Sequence, residues 1–188
     1  MSKNEVRDVD HGFADMISRV KALRGSSFVK VGVLSDSDRG GLHQKLPDGK
    51  SAPLTVAEIA AVNEFGTKDG RIPSRPAFRG TFDRMREELS RDASRLILQV
   101  VIDGTMTADR ALDLLGLKLA TAIRKTITTG SEVQPSNADS TKRRKEAKGR
   151  GSKAVRTLFD TGRLVGAIAW ARVTGESQEK PQYVSGGR

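Results

Sequence analysis

The sequence predicts an α+β fold: a small, mostly antiparallel sheet packed against two long antiparallel helices, with extended loops. Two observations carry that prediction. Two long stretches, about 74–102 and 107–128, repeat apolar residues every three or four positions and are separated only by a short connection containing Gly104. Two short apolar-rich runs, 28–34 and 169–173, flank them in the chain and read as strands. Helices joined by so short a turn pack side by side and bury their stripes across one face of a sheet.

The totals set the scale. At 188 residues the chain is one domain with extensions, divided as an N-terminal helix (1–27), a single α+β domain (28–173) and a polar tail (174–188). Aromatics are only 4%, so the core is aliphatic and modest, and contacts between subunits are the natural way to complete it. The balance of 33 basic against 23 acidic residues gives +10, which favours a polyanion or an acidic protein surface as partner. No apolar run approaches the length of a membrane span. The charged start MSKNEVRDVD shows no secretory signal. There is no cysteine, which removes disulfides and thiolate chemistry and fits a cytoplasmic setting.

In chain order, Val9, Phe13, Met16, Ile17, Val20 and Leu23 predict a helix over 10–24, capped by Asp10 and stopped by Gly25. The run 28–34 is apolar on both faces, which predicts a central strand. Residues 35–53 are polar and aperiodic, a loop or irregular hairpin suited to contact. Thr55 to Glu58 fits a capping box opening a short helix, with Gly66 as its left-handed stop. Pro73 and Pro76 then impose an extended approach to the first long helix. Its stripe is Phe78, Phe82, Met85, Leu89, Ala93, Leu96 and Val100, and its opposite face carries Arg84, Arg86, Glu87, Glu88, Arg91 and Arg95. The second long helix starts at the Thr107 cap and runs on Leu112, Leu115, Leu119, Ile123 and Ile127. Residues 131–156 hold almost no apolar side chain and predict a mobile basic loop. Asp160 caps a last short helix through Ile168, with Phe159 and Leu164 spaced as a hydrophobic staple.

Chemistry-bearing motifs are few. Lys142, Arg143, Arg144, Lys145, Lys148, Arg150, Lys153 and Arg156 stand against Glu146 alone, so most of the net charge sits on one segment. That points to phosphate or an acidic partner rather than to a merely solubilising loop. No aromatic is interleaved with these residues, which disfavours base stacking. Asp160-Thr161-Gly162 is the triplet of aspartic proteases, but such enzymes need two of them, and the arginine that follows fits a capped helix better. His11 and His43 have no companion at ligand spacing, and Asp36 and Asp38 lack the glutamate of a calcium loop. No phosphate-binding or dinucleotide fingerprint is present. The expectation is a protein without enzymatic activity and without metal or cofactor.

The run VAEIAAVNEFGT, Val56 to Thr67, followed by IPSRPAFR, Ile72 to Arg79, resembles a family of tailed-bacteriophage morphogenesis proteins: tail-completion, neck or minor tail proteins that finish the joint between head and tail. TLFDTGRLVGAIAWARV, Thr157 to Val173, resembles a second segment of the same family. Ala77 and Ala167 depart from it, standing where phenylalanine and serine are common, and the N-terminal helix and the 35–53 loop match nothing in it. The resemblance implies a structural virion protein of the head–tail joint, made in the host cytoplasm. It implies a homo-oligomeric ring about the tail axis, a hexamer or another multiple matching tail symmetry, in contact with other neck and tail proteins. Glu64, Phe65, Gly66, Arg71, Arg75 and Arg79 would then form the turn by which one subunit meets a neighbour, and the basic segment would face an acidic neighbour or the passing DNA. The alternative is a stand-alone, sequence-nonspecific DNA-binding protein using the 142–156 segment.

Overall fold

A computed structural model describes residues 11–23, 25, 27–34, 39–45, 51–130, 133–149, 158, 162–175 and 177–183. The elements follow as α1 (Phe13–Leu23), β1 (Ser27–Val33), β2 (Arg39–Lys45), β3 (Ser51–Thr55), α2 (Val56–Phe65) and α3 (Ala77–Leu98). A π-helical turn (Gln99–Asp103) closes α3, and α4 (Ala108–Thr129), α5 (Asp139–Ala147), α6 (Arg163–Gly166), β4 (Ile168–Thr174), β5 (Ser177–Gln178) and β6 (Gln182–Tyr183) complete the chain. The fold is α+β, with a small antiparallel sheet and two long helices, as the sequence predicts.

Two elements of the sheet differ from expectation. Its centre is β4, which pairs antiparallel with β1 along one edge and with β5 and β6 along the other. Among the described strands β1 therefore lies at the edge; Val29 on one face meets α4, whereas Phe28 and Lys30 on the other face are exposed. The expected polar tail supplies β5 and β6, strands too short to leave an alternating pattern. The 35–53 region contains the β2–β3 hairpin, whose register shifts between Arg39 and His43.

Cross-helix pairs fix α3 and α4 as antiparallel. Thr81 meets Thr126, Asp92 meets Lys118, and Leu96 packs with Ala111, so residue numbers fall on one helix as they rise on the other. Lys118 also pairs with Glu88 at 2.6 Å. Its hydrogen bond holds the Asp92 carboxyl below the ordinary value, while Asp92 and then Glu88 raise the ammonium. The hydroxyls of Thr81 and Thr126 share a 2.9 Å hydrogen bond in the buried seam, and Arg84 donates to both.

The middle layer is α4. Ala120, Ile123 and Ile127 form the main core with Ala77 of α3, Ile168 and Trp170 of β4, and Val133. Helix and sheet approach so closely that a Cβ on Gly116 would lie 2.7 Å from both Trp170 Cδ1 and Val29 Cγ2. Farther along β4, Arg172 reaches Asp109 at 3.2 Å and Asp113 at 3.6 Å on α4, and grips Glu179 through two nitrogens. This cluster ties the sheet, the helix and the C-terminal strands together.

Helix α3 packs on α4 rather than flat on the sheet, leaving an open apolar groove along β1. Helix α1 sits beside the π-turn, where Arg19 donates to the carbonyls of Val101 (3.1 Å) and Ile102 (3.3 Å). A cation at the carbonyl end of a helix is favoured by its dipole. No residue of α1 is fully buried.

The segment 131–156, expected as a mobile loop, contains α5. Lys, Arg, Glu and Ala are good helix formers. Asp139 lies in its first turn, Arg144 and Lys145 lie in its last, and Lys142 pairs with Asp139 at 3.1 Å. Buried Val133, Asn137 and Lys145 anchor it to the body. Among the described residues of the expected last helix, Arg163–Gly166 is helical; its proposed cap Asp160 and staple residue Phe159 lie outside the described residues.

Gly116→Ala tests the helix–sheet contact. Helix propensity alone would favour alanine by about 1 kcal/mol, whereas overpacking costs roughly 1–3 kcal/mol. The urea midpoint should therefore fall; a midpoint that rises would mean the close approach is absent.

Candidate functional site

The turn between α2 and α3 is where the sequence-predicted residues gather. Thr55 opens α2 with the expected capping box: its hydroxyl accepts the Glu58 amide at 3.1 Å, and the Glu58 carboxylate accepts the Thr55 amide at 2.7 Å. The helix closes at Gly66, whose N–H donates to the Val62 carbonyl at 2.8 Å with φ of 76°. A Cβ there would lie 2.8 Å from Ser74 N and 2.9 Å from the Ile72 carbonyl, so the returning chain leaves room only for glycine.

The first turn of α3 has amide donors without helical acceptors, and Pro76 at its cap offers no side-chain oxygen. Glu64 supplies them from the preceding helix. One carboxylate oxygen accepts the Phe78 amide at 3.0 Å, and the other accepts the Arg79 amide at 2.8 Å. The residue is 7% exposed. The carboxylate also meets the positive end of the α3 dipole. Ser74 Oγ donates to the Glu64 carbonyl at 2.7 Å, and the Arg75 amide donates to the Asn63 carbonyl at 2.7 Å, locking the return path.

Residues 67–72 form a narrow polar turn. The Thr67 amide donates to the Ile72 carbonyl at 2.9 Å, and the Ile72 amide donates to Thr67 Oγ1 at 3.0 Å. Asp69 accepts the Arg71 amide at 3.2 Å; hydrogen bonds from Thr67 and then Arg71 hold its carboxyl below the ordinary value. The Arg71–Asp69 ion pair at 3.2 Å is highly exposed, and such pairs contribute roughly 0–1 kcal/mol. Backbone bonds therefore set the turn's shape, and the Arg71 side chain projects from it into solvent.

The six predicted turn residues thus divide. Glu64 and Gly66 are used inside the subunit. Arg75 is used there too: its Nε donates to the Pro135 carbonyl at 2.9 Å, joining the turn to the chain that leads into α5. Phe65, 72% exposed, and Arg71 and Arg79 face solvent. Ile72, 37% exposed, joins that outer surface. The sequence reading passed over it because it serves there only as a motif position.

The basic set is also thinned. Lys145 is buried and Lys142 is paired with Asp139, while Arg143, Arg144 and Lys148 are exposed. Arg150, Lys153 and Arg156 lie outside the described residues. The Arg75–Pro135 bond links the turn to the chain that precedes α5, which carries part of the basic set. Among the described residues no group of three metal-ligating side chains forms, and no helix is long and apolar enough to cross a membrane. Asp160 and Thr161, two of the three residues of the protease-like triplet, are outside the described residues as well. Comparison with protein-family models, curated proteins and solved structures returns no match to this chain.

Glu64→Ala removes both acceptors and leaves the Phe78 and Arg79 amides to compete for water in a partly buried setting. Hydrogen bonds to charged groups are worth roughly 1.5–3 kcal/mol, so a loss of about 2–4 kcal/mol in urea unfolding is expected. Arg71→Ala should fall within about 0.5 kcal/mol of wild type. Equal effects of the two substitutions would contradict the division between inner and outer residues.

Proposed function

We propose that this chain is a structural subunit of the head–tail joint of a tailed bacteriophage, working by assembly rather than by catalysis. The observation that carries this reading is the divided turn. Its buried half spends every strong interaction on fixing the geometry between α2 and α3. Its outer half presents Phe65, Arg71, Ile72 and Arg79 on a rigid frame with no partner of comparable strength among the described residues. A large exposed aromatic flanked by arginines on a rigid turn is the composition of a protein contact. The resemblance of Val56–Arg79 and Thr157–Val173 to phage neck and tail-completion proteins supplies the setting: a ring of copies around the tail axis, touching neighbouring neck proteins.

The basic segment fits the same setting as an accessory contact to DNA or to an acidic neighbour. Stand-alone DNA binding is the weaker reading. With Lys145 buried and Lys142 engaged by Asp139, three of the five basic residues described there remain for phosphate. A nonspecific binder depends on many such contacts at physiological salt.

Phage particles carrying Arg71→Glu together with Arg79→Glu test the proposal. Mass spectrometry should detect wild-type protein in purified particles, and the double variant should yield filled heads and finished tails that do not join. Full infectivity with the double variant, or absence of the wild-type protein from particles and assembly intermediates alike, would refute it.

A further inference from the structure

Between β1 and α3 lies an apolar groove that is open to solvent. Val29 and Val31 of β1 form one wall, Phe82 and Leu89 of α3 the other, and Leu115 and Leu119 of α4 the floor, around a volume of about 410 Å³. Through Ala93 and Leu115 it continues into a second cavity of about 220 Å³, bordered by Ala22 and Leu23 of α1. Phe82, at the end away from α1, is 46% exposed. An open apolar concavity with a few polar groups beside it has the composition of a binding site.

Charge narrows the occupant. Arg86 is the one charged side chain among the residues lining the groove. Arg79 lies two turns before it, and at roughly 100° per residue both arginines fall within about 60° of Phe82 on the surface of α3. Both are exposed, and neither guanidinium has an ion-pair partner among the described residues. Asp83, the carboxylate between them in sequence, sits about 100° from Phe82 and so farther from the groove. A chain of +10 repels its own copies at such a face, whereas an acidic partner is drawn to it.

Spacing narrows it further. From Phe82 to Ala93 the open wall covers roughly 16 Å of α3, about three helical turns. Arg79 and Arg86 stand roughly 10 Å apart along the same axis. Carboxylates seven residues apart on a helix lying beside α3 share one face and repeat at that distance. On a strand, residues sharing a face recur at roughly 7 and then 14 Å, which misses it on both sides.

We infer that the groove is the seat for an acidic amphipathic helix of a different protein, which, resting on the assembly reading above, is another component of the joint. The apolar stripe of that helix fills the space over Leu89, Leu115 and Leu119, and two carboxylates on its flank meet Arg79 and Arg86. The basic rim selects the partner and fixes its register, while the apolar floor supplies the buried surface.

The test titrates the isotope-labelled full-length chain with a synthetic peptide of about three turns, held helical by a side-chain cross-link. The peptide carries leucines along one face and two glutamates seven residues apart beside them. The amides of Val29, Val31, Leu115 and Leu119 should shift, and those of α5 should not. Arg79→Glu together with Arg86→Glu should weaken binding by about tenfold or more. The same peptide with lysines in place of its glutamates should prefer the double variant to wild type. Both substituted residues are exposed, and unchanged circular dichroism controls for folding. Absence of binding, shifts confined to α5, or equal binding by wild type and the double variant would overturn the inference. Groove shifts that appear on concentrating the chain alone would also overturn it, because the occupant would then be a second copy. A subunit present in purified particles but indifferent to the peptide keeps the proposed function and loses this site. Peptide binding by a subunit absent from particles and intermediates keeps the site and loses the joint.

Discussion

The buried carboxylate of Glu64 is the interaction on which the arrangement of this molecule turns. A helix that begins after Pro76 has no local side chain to satisfy its first amides, and α3 takes both acceptors from the last turn of α2. That bond sets where α3 starts and in which direction it leaves. Gly66 and Ser74 let the backbone return close enough for the carboxylate to reach. Because these strong, shielded contacts hold the turn, its exposed ion pair is left with little structural work.

From that starting point the layers follow. Helix α3 is aimed along α4, and α4 alone lies flat on the sheet, where Gly116 admits Trp170 and Val29. Arg172 gathers Asp109, Asp113 and Glu179 around the other end of the same contact. The price of this geometry is an apolar wall of α3 that the sheet does not cover. A core built almost entirely from aliphatic residues leaves part of that wall, including Phe82, open to solvent.

Much of this was legible in the amino-acid pattern, and the failures have physical causes. Long helices announce themselves by repetition, and the Thr55–Glu58 box and the Thr107 cap by local chemistry; all three appear as expected. Glu64 was picked out as a motif residue, but its role was not readable, because a cap delivered from fourteen residues upstream has no local spacing. Position within the sheet failed for a different reason: apolar residues on both faces of a strand do not report the number of its neighbouring strands, and Phe28 on the second face of β1 is exposed. Helix α5 was missed because hydrophobic periodicity was the signal sought, whereas its formation rests on charged helix formers, end charges and a few anchors. Lys145 shows the limit of charge counting, since a residue assigned to a surface set is buried.

The most direct measurement of the central constraint is amide hydrogen exchange in the isolated full-length chain. First-turn amides normally exchange freely, because no helical acceptor protects them. Here Phe78 and Arg79 should be strongly protected, and Glu64→Ala should return both to fast exchange while the amides in the middle of α3 stay slow. Fast exchange at Phe78 and Arg79 in the wild-type chain would contradict the account, because α3 would then start without its cap from α2.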